Sequence, residues 1–102
     1  MPTKWIQFTV EPESITEFKS ALAALEAVSK SESGCELYRA FQSTGDSCQF
    51  TVIESWADDE AFEAHRSAPH TSSFKQTCGD MILEKSGLSL APVSSGNSDQ
   101  EP

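Results

Sequence analysis

Lys4 to Val10 alternates, with Ile6, Phe8 and Val10 on one side and Trp5, Gln7 and Thr9 on the other. A period of two predicts a strand. Glu11-Pro12-Glu13 stops it, and Ser14-Ile15-Thr16-Glu17 has the form of a capping box, with Ser14 as N-cap and Glu17 reaching back to its amide. Ile15, Phe18, Leu22, Leu25 and Val28 then recur at steps of three and four, which predicts an amphipathic helix to about Lys30. Ser31 to Gly34 reads as a loop. The period returns to two over Cys35–Gln42 and Ser47–Ser55, with Ser43-Thr44-Gly45-Asp46 as a hairpin turn between them. Strict alternation groups Cys35, Leu37, Arg39 and Phe41 with Cys48, Phe50, Val52, Glu54 and Trp56. Tyr38, Ala40, Thr51 and Ile53 fall on the opposite face. Both faces are partly apolar, so one is expected to meet the helices and the other a partner sheet.

Ala57-Asp58-Asp59-Glu60 places acids where a helix dipole favours them, at the start of a second helix. Its inward stripe is Ala61, Phe62, His65 and Ala68, and Pro69 ends it. Phe74, Cys78, Met81 and Ile82 keep helical spacing, which predicts a further helix over Thr71–Glu84, interrupted by Gly79. Ser86-Gly87 breaks it, and Leu88 to Ala91 is read as a short last strand. The order β-α-β-β-α-(α)-β is the ferredoxin-like, split βαβ arrangement of an α+β domain. That domain is expected to span residues 1–93. The Ser/Gly/Asn/Asp-rich segment 94–102 has no apolar anchor and is expected to be disordered.

Charge narrows the function. The 102 residues carry sixteen acids and seven bases, a formal net charge of −9. Nucleic acid and anionic membrane surfaces both need a clustered basic face, and the sequence shows none. An uncharged or apolar small molecule suits the composition better, although excess acid also serves solubility alone. No apolar run approaches the roughly 20 residues that span a bilayer. Cys35, Cys48 and Cys78 are odd in number and lack CxxC spacing, so free thiols in a reducing cytoplasm are expected. No Gly-rich phosphate loop, Ser-His-Asp order or dinucleotide fingerprint occurs, and no cofactor is expected.

The run Phe50-Thr51-Val52-Ile53-Glu54-Ser55-Trp56, followed by Ala61-Phe62-Glu63-Ala64-His65 and Pro69-His70, resembles the signature of the antibiotic biosynthesis monooxygenase family. The elements of that signature are a strand ending in E-x-W, an acidic helix start, and H-x4-H with proline before the second histidine. Gly34-Cys35-Glu36-Leu37-Tyr38 resembles the family's entry to the second strand, and the likeness runs from about Lys4 to Pro92. The resemblance implies a ferredoxin-like monomer that pairs through its sheet into a dimeric α/β barrel. It also implies one of several chemistries: cofactor-independent oxygenation of quinols or anthrones, haem degradation, or isomerisation of small phosphosugar-like signals. In the haem-degrading branch a tryptophan stands in the place of His65 and a ligand histidine near Lys75. Neither is present here, which disfavours that branch.

The candidate residues follow from both readings. His65, on the inward helix stripe beside Phe62, is either a hydrogen-bonded structural histidine or a pocket base. His70, at the start of the third helix, is a second candidate, with capping of that helix as its alternative. The two histidines are five apart with a proline between them, unlike the i, i+4 pair that holds zinc, and no third ligand stands out, so no metal site is expected. Arg39 and Glu54 share the more apolar sheet face, as a structural ion pair or as groups that orient a substrate oxygen. Phe50, Trp56 and Phe62 are core residues or the walls of a ligand cavity. Tyr38 is assigned to the dimer contact. The expected partners are a small-molecule substrate, molecular oxygen and a second copy of the chain. The expected function is a cofactor-independent monooxygenase of small aromatic or quinol-like molecules. A non-catalytic small-molecule-binding or stress-associated barrel, or an isomerase of a hydroxy-carbonyl compound, remains the alternative.

Overall fold

Alternation along β1 (Thr3–Val10) is realised as a strand with Phe8 and Val10 buried and Trp5 exposed. The computed structural model describes residues 1–94. The expected tail lies outside them except for Ser94, which is exposed. After β1 come α1 (Ile15–Lys30), β2 (Cys35–Gln42), β3 (Gln49–Trp56), α2 (Asp59–Ser67), α3 (Pro69–Cys78) and β4 (Ile82–Ser89). The four strands form one antiparallel sheet in the order β2-β3-β1-β4, the ferredoxin-like α+β arrangement.

Three helical details differ from expectation. A 3-10 turn over Pro12–Ser14 leads into α1, and the Ser14 side chain makes no capping hydrogen bond. The buried stripe of α1 is Phe18, Leu22, Leu25 and Ser29, while Val28 is 44% exposed, because the helix turns Ser29 toward the sheet. The third helix ends at Cys78, and a 3-10 turn over Gly79–Met81 passes into β4 six residues before the expected start at Leu88. Ile82 therefore pairs with Val10 in the sheet instead of extending a helical stripe.

The larger correction concerns the faces of the hairpin. Register pairs Tyr38 with Glu54 and Ala40 with Val52, but Arg39 with Ile53 and Phe41 with Thr51. Directly paired residues point to the same side, so Tyr38, Ala40, Val52 and Glu54 face the helices. Leu37, Arg39 and Phe41 face away with Ile53 and Trp5. The cause is an irregularity between Cys35 and Leu37, where the register shifts by one residue. Cys35 still pairs with Trp56 on the helix side, and one extra residue inverts everything after it. Tyr38 is thus a core residue, 4% exposed, and cannot serve a contact on the outer face.

The core between sheet and helices is centred on Phe18, whose ring meets Phe50, Phe8 and Phe74 at centroid distances of 5.0, 5.5 and 5.6 Å. Burial of rings this large supplies most of the drive to close the two layers. One end of the sandwich is filled by these aromatics. At the other end, beneath α2, the filling is polar.

Candidate active site: a carboxylate-clamped histidine beside a cavity

Four segments deliver the polar cluster. α2 is started by Asp58, whose carboxylate accepts from the Ala61 amide at 2.8 Å, and its one buried residue is His65. β3 brings Glu54 and Trp56, and β2 brings Tyr38. The loop between α1 and β2 brings Glu32, whose amide donates to the Ser29 carbonyl at 3.1 Å. That loop is held against α2 by Gly34. Its φ is +83°, and a Cβ there would lie 2.5 Å from the Cβ of Ala61. Only glycine meets both conditions.

His65 is 5% exposed. Its Nδ1 lies 2.7 Å from Glu32 Oε2, and its Nε2 lies 3.7 Å from Glu54 Oε1. The imidazole stacks on the indole of Trp56 at 4.6 Å, and the Tyr38 ring is 5.5 Å away. Glu54, 3% exposed, accepts a hydrogen bond from Trp56 Nε1 at 2.7 Å. Glu32 Oε2 also meets His70 Nε2 at 2.7 Å, so one carboxylate oxygen holds both histidines. Such charge-assisted bonds are among the stronger ones available to side chains. A carboxylate only accepts, so the tautomer that satisfies Glu32 carries its proton on Nδ1 of His65 and leaves Nε2 with the lone pair.

Beside His65 lies a cavity of about 290 Å³ between α2, α3 and the sheet. His65, Glu54 and Tyr38 line its inner end, and Phe8, Phe62 and Phe74 form much of its wall. Burial, then the negative charge of Glu54, pushes the Tyr38 hydroxyl well above its ordinary value of 10.0, so it stays protonated and able to donate. Burial, then Glu32, likewise raises the Cys35 thiol, which disfavours its thiolate. All three cysteines are free.

The expected site residues therefore separate. His65, Glu54 and Phe62 line the cavity, and Trp56 backs it. His70 borders a different groove on the α1–α3 side and reaches His65 only through Glu32. It does not cap α3, whose N-cap is Ala68. Phe50 belongs to the aromatic core and does not line the cavity. Arg39 is exposed on the far face of the sheet, with its guanidinium 5.1 Å from the Phe41 ring, and forms no pair with Glu54. Glu32 is the residue that the expectation lacked. With it, one carboxylate oxygen and one nitrogen from each histidine lie within 4.8 Å of one another, a donor set able to hold a divalent ion. At 2.7 Å, the imidazole–carboxylate separations are those of hydrogen bonds.

The family model for antibiotic biosynthesis monooxygenase matches residues 1–77. The chain belongs to the antibiotic biosynthesis monooxygenase family. It is 32% identical over 65 residues to the Bacillus subtilis (strain 168) protein named Putative monooxygenase YcnE, covering 64% of this chain and 68% of that one. Among solved structures, PA3566 from Pseudomonas aeruginosa superimposes with a TM-score of 0.84 at 30% identity, covering 90% of this chain and 94% of that one. A Bacteroides thetaiotaomicron structure, named for the same family, reaches 0.87 at 22% identity over 97% of this chain and 95% of its own. At that identity the second likeness speaks for the fold alone. Among the described residues no helix is long and apolar enough to cross a membrane.

Proposed function

We propose that this family member is a cofactor-independent monooxygenase acting on a small aromatic or quinol-like substrate, with His65 as the base. The observation that carries the reading is the orientation of one imidazole. Nδ1 is tied to a carboxylate, and Nε2 is on the side of Glu54, which with the ring lines an aromatic-walled cavity. In that arrangement Nε2 takes a phenolic or benzylic proton from the substrate. The imidazolium so formed lies between two carboxylates, Glu32 and Glu54, which stabilise the charge where it develops. The substrate anion reduces oxygen directly. One oxygen atom enters the ring as a carbonyl, and the other leaves as water with the hydrogens lost from carbon and from the base. The protein supplies proton transfer, ring placement and exclusion of water. Tyr38 adds its ring to the inner end, and His70 fixes the position of Glu32.

The same reading includes a homodimer and a domain that ends near residue 93. On the sheet face away from the helices, Trp5, Leu37, Phe41 and Leu88 are 39–56% exposed. An apolar sheet face of this kind is covered when two copies pair into a barrel.

Oxygen uptake with a panel of quinols and anthrones tests the activity. His65→Gln and His65→Ala should each lower turnover by about 10²–10⁴-fold, the usual contribution of a positioned base. Circular dichroism should show both variants folded. Two folded variants that turn over like the parent would remove His65 from the role of base.

A further inference from the structure

The chain has seven lysines and arginines against sixteen acids, yet three of the seven, Arg66, Lys75 and Lys85, line the His65 cavity. A fourth, Lys4, sits 5.2 Å from the ring of Phe62 in the adjoining groove. Net charge alone argues against an anionic ligand. The placement of the cations reverses that argument at the mouth of the cavity, because a rim lined by one sign of charge concentrates the opposite sign.

Charge is also graded along the cavity. Its inner end holds Glu54, 3% exposed, with His65 beside it. Arg66, Lys75 and Lys85 are all exposed and therefore stand at the mouth. Of the three, Arg66 is drawn toward an acid, Glu63, at 3.1 Å, and that pair is itself solvent-exposed. Arg66 and Lys85 each lie 5.8 Å from an aromatic ring, those of Phe62 and Phe8, which fixes them over the apolar wall. One further polar group is unused. Thr71 is 7% exposed, lines the same cavity, and its hydroxyl has no hydrogen-bond partner among the described residues. A buried hydroxyl without a partner is costly unless a ligand or water supplies one.

Taken with the proposed role of His65, on which this inference rests, we propose that the cavity takes an aromatic hydroxy acid. The flat ring lies between Phe62 and Phe74. Its hydroxyl is at the His65 end, and its carboxylate is at the mouth among Lys75, Lys85 and Arg66. Carboxylate and phenol on one ring match the two ends of the gradient, and a molecule entered the other way round would set its carboxylate against Glu54. The cavity size admits about one or two fused rings.

Isothermal titration of the full chain with 6-hydroxy-2-naphthoate and with 6-hydroxy-2-naphthamide, whose polar groups lie at opposite ends of the ring system, tests this without turnover. The two probes share ring, phenol and shape and differ in one charge. At low ionic strength the acid should bind about tenfold tighter, the scale of a few partly exposed charge pairs. High salt should shrink that preference to about threefold or less by screening. Exchanging both lysines together (Lys75→Gln with Lys85→Gln) should cut the preference to about threefold or less, with Arg66 supplying the remainder. An amide that binds the parent as tightly as the acid would overturn the inference, as would a folded double variant that keeps the full preference. Preferred binding of the acid without oxygen uptake on any substrate would leave the ligand class standing and remove the monooxygenase reading instead.

Discussion

Replacing Glu32 by glutamine isolates the contact on which the site depends. The side chain keeps its shape and loses its charge, and one acceptor oxygen becomes a donor. In the parent, a single carboxylate oxygen receives His65 Nδ1 and His70 Nε2, each at 2.7 Å, from a side chain only 15% exposed. Hydrogen bonds to charged groups contribute about 1.5–3 kcal/mol each, and a neutral amide oxygen returns about 0.5–1.5 kcal/mol for the one it can keep. Residual solvent access reduces the difference, so the net cost to the fold is about 2–3 kcal/mol. For a domain of this size that lowers the melting temperature by roughly 8–20 °C. The kinetic effect is separate. If the amide nitrogen turns toward His65, Nδ1 must accept, the proton moves to Nε2, and the ring can no longer act as a base from the cavity side. Turnover should then fall by about 10²–10⁴-fold even well below the melting transition. Calorimetry and an oxygen electrode at saturating quinol read the two effects independently. A variant that melts within a degree or two of the parent and turns over within about threefold of it would refute the clamp. A lowered melting point with unchanged turnover would show that the amide oxygen still receives Nδ1 and that the charge of Glu32 serves the fold alone.

Gly34→Ala should destabilise the fold by about 1–3 kcal/mol, from positive φ and from contact with Ala61. Pairing it with Ala61→Gly should recover part of that loss in denaturant melts, and no recovery would show that the contact is unimportant. Tyr38 is the single tyrosine, so its ionisation can be followed by ultraviolet absorbance. Because the folded state holds its hydroxyl above 10.0, the stabilisation is complete below that pH and is lost as pH rises further. Phenolate absorbance should appear only together with alkaline unfolding, and half-ionisation at pH 10.0 in the folded protein would contradict the burial argument. Sedimentation should show twice the 11.1 kDa chain mass at micromolar concentration, with Trp5→Glu or Leu88→Glu shifting it to monomer. A parent that sediments only as monomer would end the dimer proposal.

Most of the fold was legible because its elements announce themselves by period. β1, α1, β3 and α2 follow the spacing of their apolar residues closely, and β2 follows it in extent but not in the face it presents. A last strand was legible only at its end, Leu88–Ser89; its start was not, since the face it turns to the helices offers only Ile82, Lys85, Gly87 and Ser89 beside β1, and its leucines are exposed. A strand at a sheet edge with so little apolar alternation carries no period-two signal. Ile82 instead completed a helical spacing with Phe74, Cys78 and Met81. Local spacing could not distinguish a helix that continues from one that ends and hands its last apolar residue to a strand.

The site divides along the same line, between what one element can show and what requires two. His65 was legible because its helix face is written in the neighbouring apolar residues, Ala61 and Phe62. Strict alternation puts Arg39 on the wrong face because the chain gains a residue between Cys35 and Leu37. A bulge leaves no mark in hydrophobic spacing when both flanking faces are half apolar. Glu32 was invisible for a different reason. It is one of many glutamates in an acidic chain, in a loop of serines, and nothing in its surroundings separates it from a solvated surface charge. The nearest signal is Gly34, two residues on. A glycine held at positive φ against Ala61 shows that the loop must press onto α2, and a loop pressed there carries its acid to the face that bears His65. The partner of a buried base is then best sought where a glycine forces close approach to the base's own helix, rather than among residues at metal-like spacing from it.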